Sequence, residues 1–277
     1  MVIAGLILLG LCIGSFINAL VWRLHMQAQK KTRANKDSSY SIARGRSMCP
    51  HCKHVLSVKD LVPVFSWLAL HGKCRYCDKP ISSQYPLVEA MTAVLFVFLY
   101  VFWPYELISI ESILYFAFWL IFLSGFIALT IYDIKYLILP NKIIFPLLTL
   151  AIAAVVIRFI LTTNYDLLIS TTTGAAVGGG IFYALFQVSK GAWIGGGDVK
   201  LGFLLGALIG GIAPAFLMLF LASLMGTVYS VPQMLAKKVG PKSKIPFGPF
   251  LIASAIIVQL FGASLIDWYT NLFITGY

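Results

Sequence analysis

Long apolar runs recur along the chain and leave one compact polar interruption, residues 23–86. The first run, Val2 to Trp22, is long enough to span a bilayer, and no A-x-A-like cleavage site follows it. It is expected to stay as a transmembrane helix rather than leave as a signal peptide. Further runs near residues 87–103, 112–131, 143–161, 167–189, 200–213, 214–231 and 249–267 mostly approach the length a crossing needs. The pattern predicts an all-α polytopic membrane protein of about eight transmembrane helices. Its expected parts are a first helix over 1–22, a basic cytoplasmic insert over 23–86 and a membrane body over 87–277. No internal repeat or low-complexity tract is visible, so solenoid and linker architectures find no support.

Composition agrees with this pattern. Of 277 residues, 60% are hydrophobic and 11% charged, whereas soluble domains carry roughly 25% charged residues. A soluble fold is excluded. Placing 23–86 in the cytoplasm puts the loops 132–142, 190–200 and 232–248 there too, and 20 of the 21 Lys and Arg then fall on that side. They comprise 12 in the insert, together with Lys135, Lys142, Lys190, Lys200, Lys237, Lys238, Lys242 and Lys244; Arg158 is the exception. The opposite loops carry Glu106, Glu111 and Asp166, a strong positive-inside pattern. A net charge of +11 would suit nucleic acid, but the insert supplies +9 of it beside a membrane helix and offers few stacking aromatics. Anionic membrane lipids are the expected partner, and no nucleic acid.

Within the insert, Cys49-Pro-His-Cys52 and Cys74-Arg-Tyr-Cys77 form two C-x-x-C knuckles 21 residues apart. Four thiolates on one tetrahedral Zn²⁺ would let a small segment fold without a large core. The alternative, a pair of disulfides, is disfavoured in a reducing cytosol. All four histidines, His25, His51, His54 and His71, lie in or beside the insert, so a set of three cysteines and one histidine stays open beside the favoured Cys49, Cys52, Cys74 and Cys77. Cys12, inside the first helix, reads as packing.

Only two acidic residues fall in the later cytoplasmic loops, Asp133 and Asp198, both at helix boundaries on one membrane face. An ionisable group at membrane depth is by default a functional hypothesis. Two carboxyls brought together share a proton, so one can activate water while the other polarises a scissile carbonyl. The bland alternative pairs each with Lys135 or Lys200. Gly195, Gly196 and Gly197 tilt the balance, because without side chains they let an extended substrate approach Asp198, with Lys200 expected beside it. The following helix, about 199–213, is short for a bilayer and could leave Asp198 recessed. Gly202, Gly206 and Gly210 repeat every four residues and read as intramolecular helix packing.

These residues resemble the type IV prepilin leader peptidases, members of the wider G-x-G-D membrane aspartyl proteases. The resemblance runs through Gly14-Ser15-Phe16-Ile17-Asn18 with Arg23, the four cysteines, and Ile81-Ser82-Ser83-Gln84-Tyr85-Pro86 with Glu89. It continues through Asp133 with Leu139-Pro140-Asn141, Gly195-Gly196-Gly197-Asp198-Val199-Lys200-Leu201, and Pro246-Phe247-Gly248-Pro249-Phe250. It implies a bacterial inner-membrane enzyme whose active site and zinc module face the cytoplasm. Such an enzyme uses Asp133 and Asp198 to cut a short basic leader from prepilin or pseudopilin precursors of type IV pili or type II secretion. It also implies N-methylation of the new terminus with S-adenosyl-L-methionine as donor, for which no site is apparent. Asn141 stands where the family often has an aspartate, which leaves the carboxylate role to Asp133. Leu24-His25-Met26 lacks the expected proline, and Glu89 reads either as paired with a cation or as orienting substrate or donor. Competing readings are a proton- or cation-coupled transporter using the same aspartates and a non-catalytic assembly protein docking through the knuckles.

Overall fold

The computed structural model describes residues 1–30, 40–42, 44–236 and 245–273, so Lys237, Lys238, Lys242 and Lys244 lie outside the described residues. The architecture is helical, with nine α-helices among the described residues, and the chain divides into two compact units, Met1–Phe102 and Trp103–Tyr277. Seven helices are long and apolar enough to cross a membrane. The expected eighth crossing is a helix of only 14 residues.

In the N-terminal unit, α1 (Val2–Lys30) packs along α3 (Gln84–Val101). Contact is at backbone distance: a Cβ on Gly10 would lie 2.5 Å from Ala93 Cα, and one on Gly14 would lie 2.6 Å from Glu89 Cα. Two glycines four residues apart thus present a flat helix face to α3. Buried Asn18 donates to the Tyr85 carbonyl at 3.1 Å and ties the helices further. Between them lies the insert, which contains a 3₁₀ turn at Val58–Leu61 and the short α2 (Phe65–Ala69).

The second unit comprises α4 (Ile110–Tyr136), α5 (Asn141–Thr162), α6 (Tyr165–Val188), α7 (Gly196–Ile209), α8 (Ile212–Leu235) and α9 (Gly248–Phe273). Short α7 is its centre, packed on α5, α6, α8 and α9, with Leu201, Leu204 and Leu205 fully buried. Against α6 the packing is glycine on glycine. A Cβ on Gly202 would sit 2.5 Å from the Gly178 carbonyl oxygen, and one on Gly206 would overlap the Gly174 carbonyl. The spacing seen in the sequence is therefore an intramolecular seam. Its partner stripe on α6 was not singled out there.

Arg158, the exception to the charge pattern, is neutralised. Its Nε donates to Glu111 Oε1 at 2.6 Å, and its guanidinium lies 3.9 Å from the Tyr115 ring centroid. Helix α4 runs further than the apolar run over 112–131 predicts. Tyr132 to Tyr136 form the last turn of α4 rather than a loop, so Asp133 is a helical residue.

Candidate active site and metal centre

Asp133 is buried at the C-terminal turn of α4, where the chain stops helically by placing Leu137 in the left-handed conformation (φ 54°, ψ 35°). Its carboxylate Oδ2 accepts the backbone N–H of Gly248, the first residue of α9, at 3.1 Å. A Cβ on Gly248 would lie 2.7 Å from that oxygen, so the close approach requires glycine. Asp198 is the third residue of α7, with Gly195 at the N-cap, and a Cβ on Gly195 would lie 3.1 Å from Asp198 Oδ2.

Leu139 links the two settings. A Cβ on Gly197 would lie 3.0 Å from Leu139 Cβ, and one on Gly248 would lie 3.4 Å from Leu139 Cδ2. The same buried side chain thus packs against the backbone beside Asp198 and the backbone that holds Asp133, and the two carboxyls interact electrostatically. Neither aspartate forms an ion pair among the described residues. Lys200 instead donates to Asn141 Oδ1 at 2.9 Å, with its ammonium 5.3 Å from the Phe145 ring centroid. Gly195 and Gly196 are exposed, and Gly197 is half-buried against Leu139. Gly248 as an anchor for Asp133 was beyond sequence reasoning, because a main-chain donor 115 residues away leaves no signal in residue type.

In the N-terminal unit, the Sγ atoms of Cys49, Cys52, Cys74 and Cys77 lie within 4.8 Å of one another, and Cys49 and Cys77 are 3.9 Å apart. A tetrahedral ion with sulfur ligands at about 2.3 Å needs sulfurs about 3.8 Å apart, so the donor set fits a metal. The cysteines form no disulfide. The two knuckles share one backbone design. Cys49 N–H donates to the His54 carbonyl and Lys53 N–H to that of Cys49, and the same pair of bonds recurs between Cys74 and Lys79 and between Asp78 and Cys74. Lys53 (φ 58°) and Asp78 (φ 53°) supply the left-handed turn after each second cysteine. A backbone hydrogen bond at Lys79 lowers the Cys77 thiol, but desolvation and the Cys74, Cys52 and Cys49 thiols outweigh it and push Cys77 up to about 11. A divalent ion bound here would hold the four groups as thiolates. His54 stacks on Tyr76 with centroids 3.7 Å apart and is not among the clustered ligands, which leaves the four cysteines as the donor set.

Asp60, unremarked in the sequence, fastens this module. It accepts Arg75 Nε at 2.8 Å, Tyr76 Oη at 3.1 Å and Ser57 Oγ at 2.8 Å, so the loop between the knuckles grips the two residues inside the second one. Desolvation raises the Asp60 carboxyl, but these bonds outweigh it and hold it at about 2. Its contribution is therefore present in full above the ordinary value of about 3.9 and lost as pH falls towards about 2. Serine at any one of the four cysteines is expected to lower bound metal and stability together, read by elemental analysis and thermal unfolding. Full metal content in all four single variants would end the assignment. Asp60→Ala is expected to keep the ligands but bind metal more weakly.

Comparison with known proteins supplies the remaining evidence. Residues 8–103 match the family described as Bacterial Peptidase A24 N-terminal domain, and residues 120–231 match the Type IV leader peptidase family. Among curated proteins, the chain is 31% identical to a prepilin leader peptidase/N-methyltransferase of Aeromonas hydrophila, over 96% of this chain and 93% of the relative. It is 33% identical to one from Pectobacterium carotovorum subsp. carotovorum, over 90% and 89%. It is 30% identical to one from Bacillus subtilis (strain 168), over 96% and 97%. No solved structure matches significantly. A multi-pass helical chain, matched by two successive family domains and by relatives along nearly its whole length, belongs to the Type IV leader peptidase family.

Proposed function

We propose that the chain is an aspartyl endopeptidase of the bacterial inner membrane that removes the short basic leader from type IV prepilin-like precursors and N-methylates the new terminus. The observation that carries this is the pair of carboxyls on the last turn of α4 and the first turn of α7, the former held by the Gly248 amide and the two settings joined through Leu139. The basic loops support a cytoplasmic position for this end of the helices. A transporter is less well supported, because both carboxyls sit at helix ends rather than at mid-span.

The pair works with one shared proton. The ionised carboxylate takes a proton from water as the hydroxyl adds to the scissile carbonyl carbon, while the protonated carboxyl donates to the carbonyl oxygen. Collapse of the tetrahedral diol breaks the C–N bond: one diol hydroxyl returns its proton to the carboxylate that had donated it, and the proton taken from water passes to the leaving amine, which restores the singly protonated pair. Water is thereby divided between the new carboxyl and the new amine. Gly195 to Gly197 and Lys200 flank this centre as substrate contacts. Zn²⁺ on the four cysteines would stabilise the insert and takes no part in the cleavage. S-adenosylmethionine, when bound, supplies an electrophilic methyl group to the freed amine.

Incubating the purified protein with a precursor peptide, with and without S-adenosylmethionine, scores both reactions by mass. Loss of the leader is expected in both samples, and the added mass of one methyl group only with the donor. Cleavage should follow a bell-shaped pH profile with two macroscopic values belonging to the pair; a flat profile across the acidic range would count against it. Gly248→Ala places its new methyl against Asp133 Oδ2. It is expected to slow cleavage by about 10²-fold, the usual cost of misplacing a reacting group by an ångström, with little change in bound metal.

A further inference from the structure

We propose that a groove along α1 in the N-terminal unit is the binding site for S-adenosylmethionine. This assignment rests on the methyltransferase part of the reading above and adds its location. The groove has a volume of about 240 Å³ and is open along one side. One wall is a single face of α1, carrying Ser15, Phe16, Ala19 and Arg23; Leu61 and Pro63 of the insert form the other.

The insert wall is held in a demanding conformation. Phe65 N–H donates to the Pro63 carbonyl at 2.6 Å, which makes a γ-turn centred on Val64 with φ 61° and ψ −52°. This is the rare, strained form of the turn, adopted here by a β-branched residue. Glu89, buried on α3, maintains it: its carboxylate accepts the Val64 N–H at 2.6 Å. Its backbone meets α1 at Gly14, where a Cβ would lie 2.6 Å from Glu89 Cα, so one residue ties the strained turn to the α1 wall. Glu89 forms no ion pair among the described residues. Strain of this kind persists where the surroundings over-determine it, and ligand clamps are among the places it gathers.

The lining suits a small molecule with an anionic end and a flat apolar end. Arg23 is 6% exposed, and Nη1 donates to the carbonyls of Ser41 (3.3 Å) and Ile42 (3.1 Å). Its other N–H donors have no acceptor among the described residues, and the side chain lines the groove. A fixed, always charged fork of this kind would hold the amino-acid carboxylate of the donor. Phe16 and Pro63 offer apolar faces for the adenine ring.

The test is S-adenosylmethionine binding to the full chain in nanodiscs, by equilibrium dialysis with labelled donor, alongside photocrosslinking and peptide mapping. Crosslinks are expected on α1 or on 61–65. Arg23→Gln should weaken binding at least about tenfold, the loss of a charge-assisted contact, with partial recovery in Arg23→Lys. Ala19→Trp, which fills the groove without removing a polar group, should abolish binding. Metal content and thermal unfolding report whether each variant is folded. If the unaltered protein neither binds the donor nor adds a methyl group, the methyltransferase reading itself fails. Should it methylate while folded Arg23→Gln and Ala19→Trp bind as well as the parent, or crosslinks map elsewhere, the groove assignment alone is overturned. A phospholipid retained in native mass spectra and lost in Ala19→Trp, with donor binding unchanged, would give the groove to lipid and overturn it equally.

Discussion

Asp198→Asn is expected to reduce precursor cleavage by about 10²- to 10⁴-fold, the range that a positioned acid or base contributes. Asparagine preserves the shape of the side chain, so α7 keeps its first turn and the protein should purify with normal stability. What disappears is the second site for the shared proton. Asp133→Asn is expected to do the same, its amide oxygen still accepting from Gly248. The double variant should be scarcely slower than either single one, because two groups acting as a unit lose their joint contribution once. Cleavage retained at the parental rate in either single variant would refute the pair. Additive losses would show that the carboxyls act separately.

Gly206→Val is expected to have the largest effect on stability. The first atom added to Gly206 overlaps the backbone carbonyl of Gly174, and no side-chain rotation relieves a clash with main chain. Overpacking of a tight interior typically costs about 1–3 kcal/mol, and a branched residue against a carbonyl belongs at or above the top of that range. Helix α7 must move away from α6, and Asp198 sits on its first turn. Thermal unfolding in detergent should therefore fall sharply, and cleavage with it. Gly180→Val offers the control: a Cβ there meets nothing within 4 Å, so the variant should be close to parental. Equal stability of the two variants would mean that the glycine seam does not hold α7.

Much of this was legible in residue order. Hydropathy gave the helices, because a bilayer demands long apolar runs and tolerates few substitutes. The knuckles were legible from spacing alone. Asp133 was placed in a loop because Tyr132-Asp133-Ile134-Lys135 interrupts the apolar run, yet the helix continues through it with the carboxylate satisfied by Gly248. Glycine is a poor helix former, which puts the expected start of α7 near Val199, yet the helix begins at Gly196 and takes Asp198 into its first turn. Val64 was the hardest case. Nothing in a valine predicts positive φ, and only its distant partner Glu89 explains it.

The Glu111–Arg158 pair bears on how the chain is made. Glu111 lies near the start of α4 and Arg158 near the end of α5, 47 positions further along the chain. A ribosome delivers the acid well before its base, and a lone charge at the rim of a bilayer is costly to settle. Once the base arrives, the two charges cancel one another. Biosynthesis thus favours these two helices leaving the insertion machinery as a latched pair, with the later one completing the placement of the earlier.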